Sequence, residues 1–319
     1  MTGAAAHRHN AVVGRGEAGG LERLALDVAG TQRTYWLARA PGWTGLEGVE
    51  GVDGTVPLLI MLHGSGTTGR DVATTFTGLA TRAPAAGVTA IFPDGWRGVW
   101  HVTGAPADQP DLDDAAFLRA LTAHLQGATP PRPVFLAGIS NGAGFAEHVA
   151  RHGLLPLAGL FLVSGTIREA SRQAAPVPAQ RTAVTLIAGT ADPMTPYQGG
   201  PLHARGVAGW ILRRRAARHG DLPSQRRVVP VETVARDWAA ANGITGEPVA
   251  VRLPGEDSDP PTVRLAWSAP GSPPVVLYRI EGGGHGWPGG PQYLPARVIG
   301  RVPRHLDASE ILLDMVTGG

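Results

Sequence analysis

Val134-Phe135-Leu136-Ala137-Gly138-Ile139-Ser140-Asn141-Gly142 is the stretch whose reading decides the fold. Val134–Ala137 is an apolar run without polar alternation, which suits a strand buried on both faces. Asn141–His152 reads as a helix. Between them lies the pattern G-x-S-x-G. A strand turning directly into a helix brings two stretches of backbone nearly into contact, so a Cβ on either side of the turn would clash. The turn lifts the Ser140 hydroxyl above the sheet edge and aims the following amide N–H at the same point. A chain with 45 glycines produces the bare pentapeptide easily by chance. Its place between strand and helix makes it specific, and Ser140 is the candidate nucleophile.

Working outward, Val56–Leu62 is a second buried run, followed by a helical stretch at Arg70–Arg82 and a strand at Val88–Phe92. A helix at Asp113–Leu125 precedes the Ser140 strand. Strands at Gly159–Val163 and Ala183–Ala188 follow its helix. Alternating strands and helices predict an α/β fold with a mostly parallel central sheet and helices on both faces. Leu21–Val28 and Gln32–Ala38, separated by Ala29-Gly30, predict an N-terminal antiparallel hairpin. Later come a helix at Val231–Ala241, strands near Val249–Arg252, Val263–Trp267 and Val275–Ile280, and a last helix at Ala308–Val316. Residues 1–20 read as a disordered tail and 21–319 as one domain, with 198–230 as a basic insertion or lid.

The 319 residues contain no cysteine, and all 28 basic residues are arginine. Thiolate metal sites, disulfides and cysteine nucleophiles are thereby excluded. So are Schiff-base lysines, P-loop lysines and oxidoreductases relying on a Tyr–Lys pair. The net charge of +2 gives no argument for nucleic acid. No apolar stretch approaches a membrane span. The first twenty residues lack the apolar core of a signal peptide, which leaves the compartment open.

The remaining candidates lie at strand ends. His63-Gly64-Ser65-Gly66 closes the Val56–Leu62 strand, where a loop supplies the second oxyanion donor in serine hydrolases of this architecture. The two donors are assigned to the backbone N–H groups of Ser65 and Asn141. An acid and then a base should follow the serine in order. Gly189-Thr190-Ala191-Asp192-Pro193 follows the strand Ala183–Ala188 and offers Asp192. Gly282-Gly283-Gly284-His285-Gly286-Trp287-Pro288-Gly289-Gly290 follows Val275–Ile280, a specialised loop around one imidazole. Ser140, His285 and Asp192 are therefore expected to act as nucleophile, proton shuttle and orienting acid in acyl transfer. Trp287, Trp96, Trp100 and Tyr197 are candidate substrate-pocket aromatics. No cofactor or metal is expected.

Gly64-Ser65-Gly66-Thr67-Thr68-Gly69 also matches the dinucleotide pattern G-x-G-x-x-G, with Asp94 placed as a ribose-binding acid. Two strands precede it, and the His285 loop would go unexplained, so a nucleotide-dependent oxidoreductase is the weaker reading. A serine peptidase on the same scaffold is harder to separate. A non-catalytic binding module would not require an intact triad. Residues 203–227 carry seven arginines (Arg205, Arg213, Arg214, Arg215, Arg218, Arg226 and Arg227) against Asp221. They form a solvated flap, a lid, or a docking surface for an anionic polymer.

Taken together, several segments resemble the polyhydroxybutyrate depolymerase and feruloyl esterase-like group of α/β-hydrolases. These are Arg33-Thr34-Tyr35-Trp36, Leu62-His63-Gly64, Phe92-Pro93-Asp94-Gly95-Trp96, the run Asp113 to Leu118, and Gly138 to Gly142. Gly189 to Pro193, Val231 to Trp238, Gly282 to Pro288 and Asp307-Ala308-Ser309-Glu310 complete the set. The resemblance runs from about residue 21 to the end, in order. It implies an α/β-hydrolase fold and a cofactor-free serine esterase, often secreted, acting on a polyester or on feruloyl or acetyl esters of plant polysaccharides. The chain departs from the pattern in having no cysteines, no visible signal peptide and a long 198–230 segment.

Overall fold

The computed structural model describes residues 20–43, 56–102, 109–126, 132–165, 167–202, 227–254 and 259–319. The expected N-terminal tail and nearly all of the basic 203–227 segment lie outside the described residues.

Twelve strands are described. They are β1 (Leu21–Val28), β2 (Thr31–Ala38), β3 (Leu58–Leu62), β4 (Thr89–Pro93), β5 (Val134–Ile139), β6 (Gly159–Val163), β7 (Ala183–Gly189), β8 (Gly200–Pro201), β9 (Arg227–Val228), β10 (Val249–Leu253), β11 (Thr262–Trp267) and β12 (Val275–Ile280). Ten of them form one sheet in the order β1-β2-β4-β3-β5-β6-β7-β12-β11-β10. The six central strands, β4 to β12 in that order, are parallel. Both ends are finished by antiparallel strands. The β1–β2 hairpin turns through Ala29 and Gly30, both at positive φ, with the Gly30 N–H donating to Asp27 Oδ1. Two positive-φ residues match the right-handed twist of the strands they join.

Side chains alternate across the central strands, as the two-residue period requires. Leu58, Ile60 and Leu62 of β3 enter one core, while Leu59 and Met61 enter the other. The first core is roofed by the helices Asp114–Gln126, Asn141–Arg151 and Val231–Ala241. The second lies under the helices Leu79–Ala85 and Ala308–Thr317. Because both faces are covered, β3, β4 and β5 are buried throughout.

The expected helix over Arg70–Arg82 is broken. One turn, Gly69–Asp71, runs into a π-helical stretch, Val72–Phe76, and a new helix starts at Leu79 after Gly78 at φ 65°. Thr77 makes the break: its hydroxyl donates to the Val72 carbonyl and accepts from the Leu79 N–H. Such side-chain bonding competes with the helical ladder. The helix Glu169–Ala174 and the β8–β9 ribbon carry no periodic signal in the sequence. That ribbon joins the two ends of the 203–226 stretch.

Candidate active site

Ser140 sits between β5 and the helix Asn141–Arg151 at φ 56°, ψ −118°. A positive φ is costly for a residue with a Cβ and persists only where the surroundings force it. Here they do. A Cβ on Gly138 would come within 2.5 Å of the Gly142 carbonyl carbon, and one on Gly142 within 2.5 Å of the His63 carbonyl oxygen. The two glycines let β5, its helix and the end of β3 close on one another, and the serine takes up the strain. The Ser140 N–H donates to the Val163 carbonyl at the end of β6. Asn141 is the first helical residue, so its N–H has no acceptor within the helix.

Asp192 lies just past β7 and is buried. Its Oδ1 accepts the N–H groups of Met194 and Thr195, both at 2.8 Å. Its Oδ2 lies 2.7 Å from His285 Nδ1. With Nδ1–H donating there, Nε2 is left as the acceptor. Thr195 Oγ1, 3.1 Å from the same Nδ1, donates to the Ser164 carbonyl. Ser164, itself at φ 48°, follows Val163, and its hydroxyl donates to the Gly286 carbonyl. The end of β6 is thus bonded on one side to the Ser140 turn and on the other to the His285 loop.

Glycines bring that loop in. A Cβ on Gly284 would collide with Ile299 and Gly300, and one on Gly189 with the Gly283 carbonyl. The His285 N–H donates to the Ile299 carbonyl. Two half-buried aromatics missed in the sequence stand nearby. Phe76 and Tyr293 meet edge to face at 5.2 Å. Burial and the Asp192 carboxylate push the Tyr293 phenol well above its usual range. Thr195, Phe76 and Tyr293 belong to no motif, and only their spatial neighbours reveal them.

The four expected pocket aromatics take different places. Trp287 is buried, donates from Nε1 to Ser309 Oγ at 2.9 Å, and lines a cavity of about 250 Å³ with Phe76 and Gly289–Pro291. Trp96 is half-buried, with its Nε1 buried and without a hydrogen-bond partner among the described residues. Trp100 is wholly enclosed, stacked on Phe145 at 5.4 Å. Tyr197 is buried and its hydroxyl donates to Glu232. Neither Trp100 nor Tyr197 presents its ring to solvent. Trp287 and Trp100 also lie in opposite cores of the sheet.

The dinucleotide pattern is accounted for by the fold. Asp94 Oδ1 accepts the Gly69 N–H and its Oδ2 the Thr34 hydroxyl, while the Gly66 N–H donates to the Gly98 carbonyl. The acid expected on a ribose instead ties β2 and β4 to the loop. His63, between them, is fully buried, and burial lowers its pKa, keeping it neutral. Among the described residues no cluster of three or more His, Cys, Asp or Glu is placed to hold a metal ion. Among them, too, no helix is long and apolar enough to cross a membrane.

A largely parallel sheet carrying a strand–serine–helix turn, with an acid–histidine pair at the ends of later strands, defines an α/β-hydrolase fold. Putative esterase NocK from Nocardia uniformis subsp. tsuyamanensis is 31% identical over 304 residues, covering 92% of this chain and 81% of that protein. The chain belongs to the family of that esterase. No family model matches the sequence. Among solved structures, acetyl xylan esterase from Aspergillus awamori is similar at TM-score 0.49 and 12% identity, over 80% of this chain and 89% of that one. S-formylglutathione hydrolase from Staphylococcus aureus is similar at TM-score 0.41 and 12% identity, over 53% and 79%. Both likenesses are too loose to carry a site or a substrate across.

Proposed function

We propose that the protein is a serine carboxylic-ester hydrolase with Ser140 as nucleophile, His285 as general base and acid, and Asp192 as its orienting partner. The observation that carries this reading is the forced positive φ of Ser140 at the end of β5. The Asp192–His285 pair at 2.7 Å supports it, and the membership in an esterase's family agrees with it.

Ser140 Oγ attacks the ester carbonyl carbon while its proton passes to His285 Nε2. The carbonyl π pair moves onto oxygen, where the N–H groups of Asn141 and Ser65 receive the charge. As the carbonyl re-forms, the bond to the alcohol breaks and His285 returns the proton to the leaving oxygen. Water then repeats the sequence on the acyl-enzyme, releasing the acid and restoring Ser140. Asp192 stays ionised and stabilises the imidazolium formed in each half.

The substrate class proposed from the family resemblance is a polyhydroxyalkanoate-type polyester or a feruloyl or acetyl ester. Trp287 serves as one wall of the acyl pocket, a role that rests on its place two residues past His285 in the same loop. Trp287→Ala should raise KM for long or aromatic acyl esters, and unchanged kinetics on every ester would remove that role. The primary test compares initial rates of the protein and Ser140→Ala on p-nitrophenyl acetate, p-nitrophenyl butyrate, methyl ferulate and polyhydroxybutyrate suspension. Activity confined to the unaltered protein is expected, and its best substrate selects the class. Equal activity in both would contradict the reading.

A further inference from the structure

The side chain of Asn141 makes bonds that a donor N–H at that position does not require. Its Oδ1 accepts the Trp100 N–H at 2.8 Å and its Nδ2 donates to the Trp100 carbonyl at 3.0 Å. One carboxamide thus pairs with both backbone groups of one residue, and both residues are buried. Only an amide side chain offers a donor and an acceptor for such a pairing. Serine and alanine are too short, and an ionised aspartate has no donor.

Trp100 is fixed in turn. Its Nε1 donates to the His63 carbonyl at 3.1 Å, and its ring stacks within 6° of parallel on Phe145, one turn along the helix that Asn141 begins. At the near end of the same segment the Gly95 N–H donates to His63 Nε2 at 2.9 Å, and His63 Nδ1 donates to the Gly64 carbonyl at 2.8 Å. The Gly98 carbonyl accepts the Gly66 N–H at 2.7 Å. Arg97, at φ 50°, lets the chain turn sharply between these anchors. Residues 95–100 therefore form a strap. One end is held by the Asn141 side chain, and its other anchors lie on His63 and Gly66, either side of Gly64-Ser65.

We propose that the Asn141 side chain is a positioning group that sets the spacing of the two oxyanion donors through the backbone of Trp100. The inference rests on the ester-hydrolase reading and deepens it. It gives the residue after the nucleophile two separate duties, a backbone donor and a side-chain clamp. A clamp of this kind acts on the transition state rather than on substrate binding, because the oxyanion exists only there.

The test uses Asn141→Ala and Asn141→Asp, both of which keep the backbone N–H. Asn141→Asp also keeps the size and one acceptor, and in either variant the titration counts only folded, reactive sites. Rates on p-nitrophenyl butyrate are expressed per active site, titrated with a fluorophosphonate. Inhibition by an alkyl trifluoromethyl ketone, which forms a tetrahedral oxyanion on the serine, is measured alongside. We expect kcat to fall about 10- to 100-fold with KM within about threefold, and the ketone's Ki to rise by the factor that kcat/KM falls. Unaltered rates per titrated site, or a rise in KM with kcat kept, would overturn the proposal. A wild-type protein inert to esters and fluorophosphonate contradicts the underlying reading instead, so the two failures are distinct.

Discussion

The Ser140 turn and the His285 loop reach the same strand end by opposite means. The turn is compact: five consecutive residues, two collisions avoided by glycine, and a strained φ imposed by its own strand and helix and the end of β3. The loop is assembled from segments far apart in the chain. Asp192 and His285 are 93 residues apart, and the backbone of His285 is held by Ile299. Strain in the first is maintained by packed backbone, whereas the second adds to its own glycine contacts the hydrogen bonds that hold the Asp192–His285 pair. The turn should therefore fail by steric insult and the loop by loss of single polar groups.

The largest expected effect falls on the turn's one reactive atom. Ser140→Ala should lower kcat by about 10⁴-fold or more with the fold intact, read by ester kinetics beside circular dichroism. Asp192→Asn tests the loop. It keeps the shape but favours the wrong imidazole tautomer, and kcat should drop by about 10³- to 10⁴-fold. Gly142→Ala tests steric maintenance of the turn. The added methyl meets the His63 carbonyl, so we expect about 1–3 kcal/mol of lost stability, seen as a lower Tm. An unchanged Tm would show that the turn relaxes freely.

Thr195→Val removes the hydroxyl that bridges Ser164 and His285. One such bond is worth about 1 kcal/mol, so kcat/KM should fall up to about tenfold, with the Tm little altered. The smallest effect concerns the far end of the Ser140 helix. Burial, with His152 and Arg168 nearby, lowers the His148 pKa from 6.5 to about 4. The folded protein keeps this ring neutral while the unfolded chain binds a proton below 6.5. The stability it secures is complete above that pH and declines as the pH falls toward 4. His148→Gln should recover about 1 kcal/mol at pH 5 and nothing at pH 8, after allowance for solvent screening, in urea unfolding curves.

The same contrast explains what could be read in advance. The central strands were legible because a strand covered on both faces has no polar alternation, and β3 and β5 show none. The turn was legible because the two glycines that its close approaches require stand at fixed places around Ser140. His285 stood out by the glycines around it, since each close backbone approach needs one. Thr195 and Tyr293 stayed hidden because nothing local distinguishes them. Trp100 reads as a pocket candidate because a tryptophan after a strand end looks the same in sequence whether it faces a cleft or, as here, lies under the Ser140 turn. The Arg70–Arg82 helix shows no break in its sequence pattern, because the break depends on the Thr77 hydroxyl and on Gly78.

The proposed mechanism makes Ser140 the nucleophile and His285 its base. Labelling with a fluorophosphonate, followed by intact mass and peptide mapping, tests it most directly, because Ser140 Oγ would displace fluoride from phosphorus and keep the phosphonyl group. One adduct is expected, on Ser140, absent in Ser140→Ala and much slower in His285→Ala. An adduct on another residue, or ester hydrolysis that persists in Ser140→Ala, would contradict it.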